Sequence, residues 1–281
     1  MKTNSKRPIS ILLLLSLIFL LYFPASLGEQ APWDCPECGR KGNTGNYCGG
    51  CGYPAQRTEA PAVNDEYMSH EEYMRAEIDT PVCMVTYVQD FQEWWDGKIA
   101  VYAQDRDGAV FIYNMACSEE DARKLVPGTK IRVNGFKAEW SGEVEIVDGT
   151  FEFVEGDAFI AEPEDVTELL GTDELAAHMN EKVTFKGLRI VPSRAEGKND
   201  EFPFLYAWDG SGSREANSDL YFNVEYNGQI YQFTVESYLR GPETDVYKAV
   251  EGLQIGDVVD ATGYLYWYNG ANPHIISIGV R

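Results

Sequence analysis

Apolar and polar residues alternate from Pro81 to the C-terminus, with glycines breaking the pattern at intervals, which predicts a mainly β protein. Asp107-Gly108 and Asn227-Gly228 each separate two such runs and predict tight hairpins, because only small or Asn/Asp residues accept the left-handed backbone of two-residue turns. Helical signals are few. Ser69 and Glu72 form a capping box, with Met68 and Tyr73 at the staple positions, so a helix should start at Ser69 and end near Ile78, before Thr80-Pro81. Shorter capped helices are expected near Ser118, Thr172 and Glu243.

The β region repeats itself. Leu125-Val126-Pro127-Gly128 through Asn134-Gly135-Phe136 aligns with Leu253-Gln254-Ile255-Gly256 through Thr262-Gly263-Tyr264, and the match continues through Trp140 and Tyr268 to Gly142 and Gly270. Each copy is preceded by a short helix, and that by a hairpin and a further strand. Within Val183-Thr184-Phe185-Lys186-Gly187-Leu188-Arg189-Ile190 the apolar set changes parity at Gly187, which requires a bulge. The first copy changes the same way at Gly135, and such kinked strands let a small sheet close on itself. The order strand, strand, strand, helix, strand, strand, with Leu-x-x-Gly-x-x-Ile/Val-x-x-x-Gly, resembles the OB-fold, in tandem. The resemblance implies two five-stranded barrels, over 81–162 and 163–281, and carries no diagnostic ligand residue. Val101–Asp105 also resembles Leu205–Asp209; the turn-based alignment instead makes 194–218 an insertion in the second barrel.

A different signal precedes the barrels. Cys35, Cys38, Cys48 and Cys51 form two Cys-x2-Cys pairs, each followed by glycine, a spacing that suits four thiolates around one Zn2+. Residues 33 to 54 resemble the short four-cysteine zinc ribbons at the ends of many bacterial proteins, within a predicted module at 29–54. Two disulfides, or iron in a rubredoxin-like site, are the alternatives. With all four positions filled by protein, such a metal has a structural or docking role. Residues 55–80 read as a linker leading into the capped helix. Cys83 and Cys117 read as small apolar strand residues, with a bridge between them left open.

The N-terminus has basic Lys2, Lys6 and Arg7, an apolar run from Ile11 to Phe23, and small residues ending at Gly28, the pattern of a secretory signal over residues 1–28. An uncleaved anchor is the rival, and either one places the rest of the chain outside the cytoplasm. Without residues 1–28 the chain holds 45 acidic against 20 basic residues, a net charge of −25, with −24 of it on residues 61–281. That balance argues against nucleic acid, whose affinity for proteins rests largely on clustered Lys and Arg.

No nucleophile elbow, phosphate loop or His-Glu-x-x-His motif is present, and the expectation is a non-enzymatic protein. Aromatics are the candidates instead. Trp94 and Trp95 follow the first strand of barrel one, Trp208 lies in the insertion, and Trp267 stands among Tyr264, Tyr266 and Tyr268. A parity switch at Gly263 would turn the three tyrosines inward and Leu265 and Trp267 outward. Packing and a stacking platform are both open to such rings. The leading expectation is an exported binding or scaffold protein of the cell envelope recognising a protein or glycan. Single-stranded nucleic-acid binding is the alternative, and a hydrolase with dispersed carboxylates a further one.

Overall fold

A computed structural model describes residues 32–36, 38–43, 48 and 67–281. Residues 1–31, on which the expected signal falls, Cys51 and most of the linker lie outside the described residues. Helix α1 (His70–Arg75) carries the capping box in both directions: the Glu72 amide donates to Ser69 Oγ, and the Ser69 amide to the Glu72 carboxylate. It stops at Ala76, earlier than the sequence suggested, where the backbone turns extended.

Barrel one contains β1 (Pro81–Phe91), β2 (Lys98–Gln104), β3 (Ala109–Ala116), helix α2 (Glu119–Ala122), β4 (Lys130–Trp140) and β5 (Glu143–Phe153). The sheet closes in the order β1-β2-β3-β5-β4, with β3 and β5 parallel and the other pairs antiparallel. The register of β4 against β5 slips between Asn134 and Phe136, at the glycine where parity was expected to change. A Cβ on Gly135 would lie 2.4 Å from Ile146 Cγ2, so this crossing needs a bare backbone.

The chain then passes through a two-residue strand, β6 (Glu164–Asp165), and two 3-10 turns, Thr167–Leu169 and Asp173–His178. Barrel two follows with β7 (Lys182–Val191), β8 (Leu205–Tyr206), β9 (Leu220–Tyr226), β10 (Gln229–Val235), α3 (Asp245–Glu251), β11 (Val258–Tyr264) and β12 (His274–Val280). Its seven-stranded sheet runs β6-β7-β11-β12-β10-β9-β8, and the additional β7–β9 pairing closes five of those strands into a second barrel. As in barrel one, the third and fifth strands of the set, β10 and β12, are parallel. The hairpin turns at Asn227-Gly228, both with positive φ, so 194–218 is an insertion between the first two barrel strands.

Both interiors follow from the alternation. Val183, Phe185, Leu188 and Ile190 all reach the core of barrel two because Gly187, at φ +69°, absorbs the extra residue. Val82, Met84, Val101, Ile112, Ile131 and Ile146 do the same in barrel one. A third apolar cluster, Ala100, Tyr102, Phe111, Leu239 and Tyr264, draws on both barrels and lies between them. Its origin is visible in β2, where Ile99-Ala100-Val101-Tyr102-Ala103 is apolar without alternation and is buried on both faces.

Barrel two settles the orientation of residues 264–268 against the parity expectation. Leu265 is fully buried in its core and Trp267 packs against that core, while Tyr264 and Tyr266 turn toward barrel one. Val259, Ala261 and Leu265 keep one parity across Gly263. That glycine serves a close approach instead: a Cβ there would lie 2.3 Å from the His274 carbonyl oxygen.

Candidate functional site

In five-stranded barrels of this kind, ligands are taken on the outer face of the second and third strands and by the loops joining strands one to two and four to five. In barrel one that face is covered. Tyr102 of β2 stacks on Tyr264 with ring centroids 4.4 Å apart, and its hydroxyl hydrogen-bonds His274 Nδ1 at 2.7 Å. Phe111 of β3 meets Tyr266 edge-on, and Tyr266 stacks on His274. Burial holds the His274 imidazole down at about 3, so it is neutral near pH 7.

Polar groups complete the junction. Asp90 pairs with Arg240, and Gln92 donates to Glu236 at 3.2 Å. Burial first, and then the nearby Asp219 charge, push the Glu236 carboxyl up to about 8. Glu143, at the start of β5, has no solvent exposure. Its Oε1 accepts from Asn180 Nδ2 at 2.6 Å and its Oε2 from the Trp267 amide at 2.8 Å. Desolvation raises its pKa well above the carboxylate range.

The corresponding face of barrel two is open toward its hairpin end, is closed at Thr234, which is 2% exposed, and carries little charge. The outward residues of β9 and β10 pair as Tyr221 with Thr234, Asn223 with Gln232 and Glu225 with Ile230, and Ile230 and Gln232 are exposed. From Ala261 to Val280 the chain contains no Asp, Glu, Lys or Arg.

The four sequence-selected tryptophans all fall in the loops joining strands one to two or four to five. Trp95, between β1 and β2, is 80% exposed, and Trp208, in the corresponding insertion of barrel two, is 66% exposed. Trp94 is the anchor of its loop: its indole N–H donates to the Cys117 carbonyl at 2.8 Å. Trp267 lies between β11 and β12, half-buried on the barrel-two core and above Gly142. The structure adds residues that the sequence reading did not select. Tyr268 is 52% exposed, with its ring 6.2 Å from that of Trp140 at the end of β4. Trp140 and Tyr268 are the pair that the internal repeat aligns, which is the signal that identifies Trp140. Tyr238, 62% exposed, sits beside the Trp94-Trp95 loop, its carbonyl accepting from the Glu93 amide.

The cysteine module is described in part. Cys35, Cys38 and Cys48 place their sulfurs within 4.8 Å of one another, close enough to hold a metal, and Cys38 and Cys48 are 3.4 Å apart. Tetrahedral thiolates at ~2.3 Å from one zinc stand ~3.8 Å apart, so the cluster fits that ion. Two paired backbone hydrogen bonds between Trp33 and Asn43 frame the first Cys-x2-Cys turn, and Gly39 at φ +71° closes it. Cys83 and Cys117 are both buried, and no disulfide joins them.

No family model and no curated protein matches the chain. Similar solved structures include a murine DNA-binding protein bound with double-stranded DNA, at 10% identity and TM-score 0.32, over 70% of this chain and 94% of that one. The Ifi202 HINa domain in complex with 20-bp double-stranded DNA gives 11% and 0.30, over 73% and 96%. A replication protein A heterotrimer bound to single-stranded DNA gives 10% and 0.28, over 72% and 49%. Overlap this loose fixes neither family nor ligand. The expectation of an envelope scaffold for a protein or glycan that excludes nucleic acid is withdrawn, because the charge argument behind the exclusion does not hold. The physical fault in it is one of averaging: a net charge summed over the chain says nothing of a local surface, and the 261–280 segment carries none of the acidity.

Proposed function

We propose that the tandem barrels bind single-stranded nucleic acid, chiefly by stacking bases on loop aromatics and only weakly through the phosphates. The observation that carries this reading is the placement of Trp95, Trp208 and Tyr268, all exposed, on strand-one-to-two and strand-four-to-five loops. A single strand suits such a surface because its unpaired bases offer π-faces. A duplex hides its bases and needs a cationic stripe to hold its backbone, and neither residues 220–235 nor residues 261–280 contain a Lys or Arg. Cys35, Cys38, Cys48 and Cys51 belong to the same proposal as a zinc site that gives residues 33–54 their fold without chemistry of its own. Export through residues 1–28 and a non-enzymatic role are also part of it.

The test is a fluorescence-anisotropy titration of the full chain with a labelled oligonucleotide of about 20 nucleotides, longer than the 4–16 one barrel covers. Binding of the single strand, weaker binding of the duplex, and a shallow dependence on salt are expected. No binding at low salt overturns the reading, and a slope as steep as that of a basic protein overturns its stacking mechanism.

A further inference from the structure

The loop between β4 and β5 of barrel one is seated directly on the loop between β11 and β12 of barrel two. Ser141 accepts the Asn269 amide on its carbonyl at 2.7 Å. Gly142, at φ +92°, leaves room for Trp267, whose Cδ1 would stand 2.9 Å from a Cβ at that position. Glu143 then accepts the Trp267 amide and the Asn180 side chain, and the Asn180 amide is itself tied to the Leu265 carbonyl at 2.9 Å. At the rim of this contact Trp140 and Tyr268 come together.

We infer that the two loops form one shared ligand platform, with Trp140 and Tyr268 as its surface, and that Glu143 is the positioning residue that holds it. The inference rests on the proposed nucleic-acid reading and adds a location and a dependence: barrel two presents Tyr268 correctly only while barrel one is docked. Within barrel two the β11–β12 loop is tied at its base, where the Asn272 amide donates to the Tyr266 carbonyl at 2.9 Å and Thr234 Oγ1 donates to Asn272 Oδ1 at 3.0 Å. It contains one isolated bridge, Trp267 with Ala271, and its glycine-centred tip, Asn269-Gly270, has positive φ at both residues. A fully buried carboxyl that takes two donors from the other barrel is, with the Ser141 carbonyl, what fixes the loop to barrel one. Substitution by Gln keeps the Trp267 contact on its Oε1, and its Nε2 donates to Asn180 Oδ1 once Asn180 turns, at the cost of the 3.3 Å bond from Asn180 Nδ2 to the Val144 carbonyl.

The experiment uses the full chain and reads two quantities: hydrogen exchange of residues 266–272 and affinity for the labelled single strand. Trp140→Ala and Tyr268→Ala should each weaken affinity about tenfold, with exchange elsewhere unchanged. Glu143→Ala should lose exchange protection at 266–272 and affinity together, while Glu143→Gln keeps both. If Glu143→Ala fails to fold by circular dichroism, Asn180→Ala, which removes one of the two donors, takes its place and should give the same paired loss. Unchanged affinity in both aromatic variants while the wild type binds refutes the platform and leaves the wider reading intact. Retained protection in Glu143→Ala refutes the positioning role. A wild type that binds no oligonucleotide sinks the platform together with that wider reading, and hydrogen exchange then still decides what Glu143 does.

Discussion

Replacing Glu236 with Gln should remove a large part of the alkaline sensitivity of the barrel junction. Glu236 follows β10, is 9% exposed, and faces Asp219, Tyr221, Tyr102 and Tyr266. Its carboxyl titrates at about 8 in the fold, against 4.5 without the protein. Between those values the folded chain holds a proton that the unfolded chain has released, so stability falls as pH rises, by 1.36 kcal/mol per pH unit. From about pH 6.5 to about pH 8 the loss is about 2 kcal/mol. His274 does not confuse this window. Its folded value of about 3 lies below its ordinary 6.5, so the stability it contributes is gained as pH rises to 6.5 and is constant above. Urea denaturation of wild type and Glu236→Gln across this range is the assay. The stability of the variant relative to wild type should grow by about 2 kcal/mol toward pH 8. Parallel curves would refute the reasoning and show that water or a rearranged Gln92 solvates the carboxylate.

Further outcomes follow from the same contacts. Gly142→Ala should cost about 1–3 kcal/mol and lower the melting temperature, since it sets a Cβ against Trp267 on left-handed backbone. Tyr102→Phe should cost about 1–3 kcal/mol in denaturant melts by leaving His274 Nδ1 buried without its hydrogen bond. A strong zinc chelator should expose residues 33–54 to limited proteolysis while the melting of the barrels stays in place; simultaneous loss of both would mean that the metal also supports the barrels.

Much of the architecture was legible because its signals are local. Ser69 and Glu72 name a helix start through the hydrogen bonds their side chains return to the backbone, and Asn227-Gly228 a hairpin and Gly187 a bulge through left-handed backbone that those residues adopt readily. The repeat then extended local signals to two closed barrels. The junction was much less legible. Periodicity separates inward from outward residues but does not say which outward face another barrel will cover, so Tyr102 and Phe111 read as strand residues without a destination. The orientation of Leu265 and Trp267 was lost for another reason: Gly263 was read as a parity switch like Gly135, whereas it serves a close approach to the His274 carbonyl and the parity of β11 runs on through Leu265. Trp140 went unselected although the repeat pairs it with Tyr268, because a sequence alignment of equivalent loops does not reveal that the loops touch.

Ultraviolet crosslinking of the full chain to a single-stranded oligonucleotide, with the attached residues identified by mass spectrometry, tests the central claim most directly. Stacking on the loop aromatics predicts adducts at Trp140, Tyr268 and the exposed rings Trp95 and Trp208. Adducts confined to residues 32–48, or none under conditions where a known binder crosslinks, would contradict it.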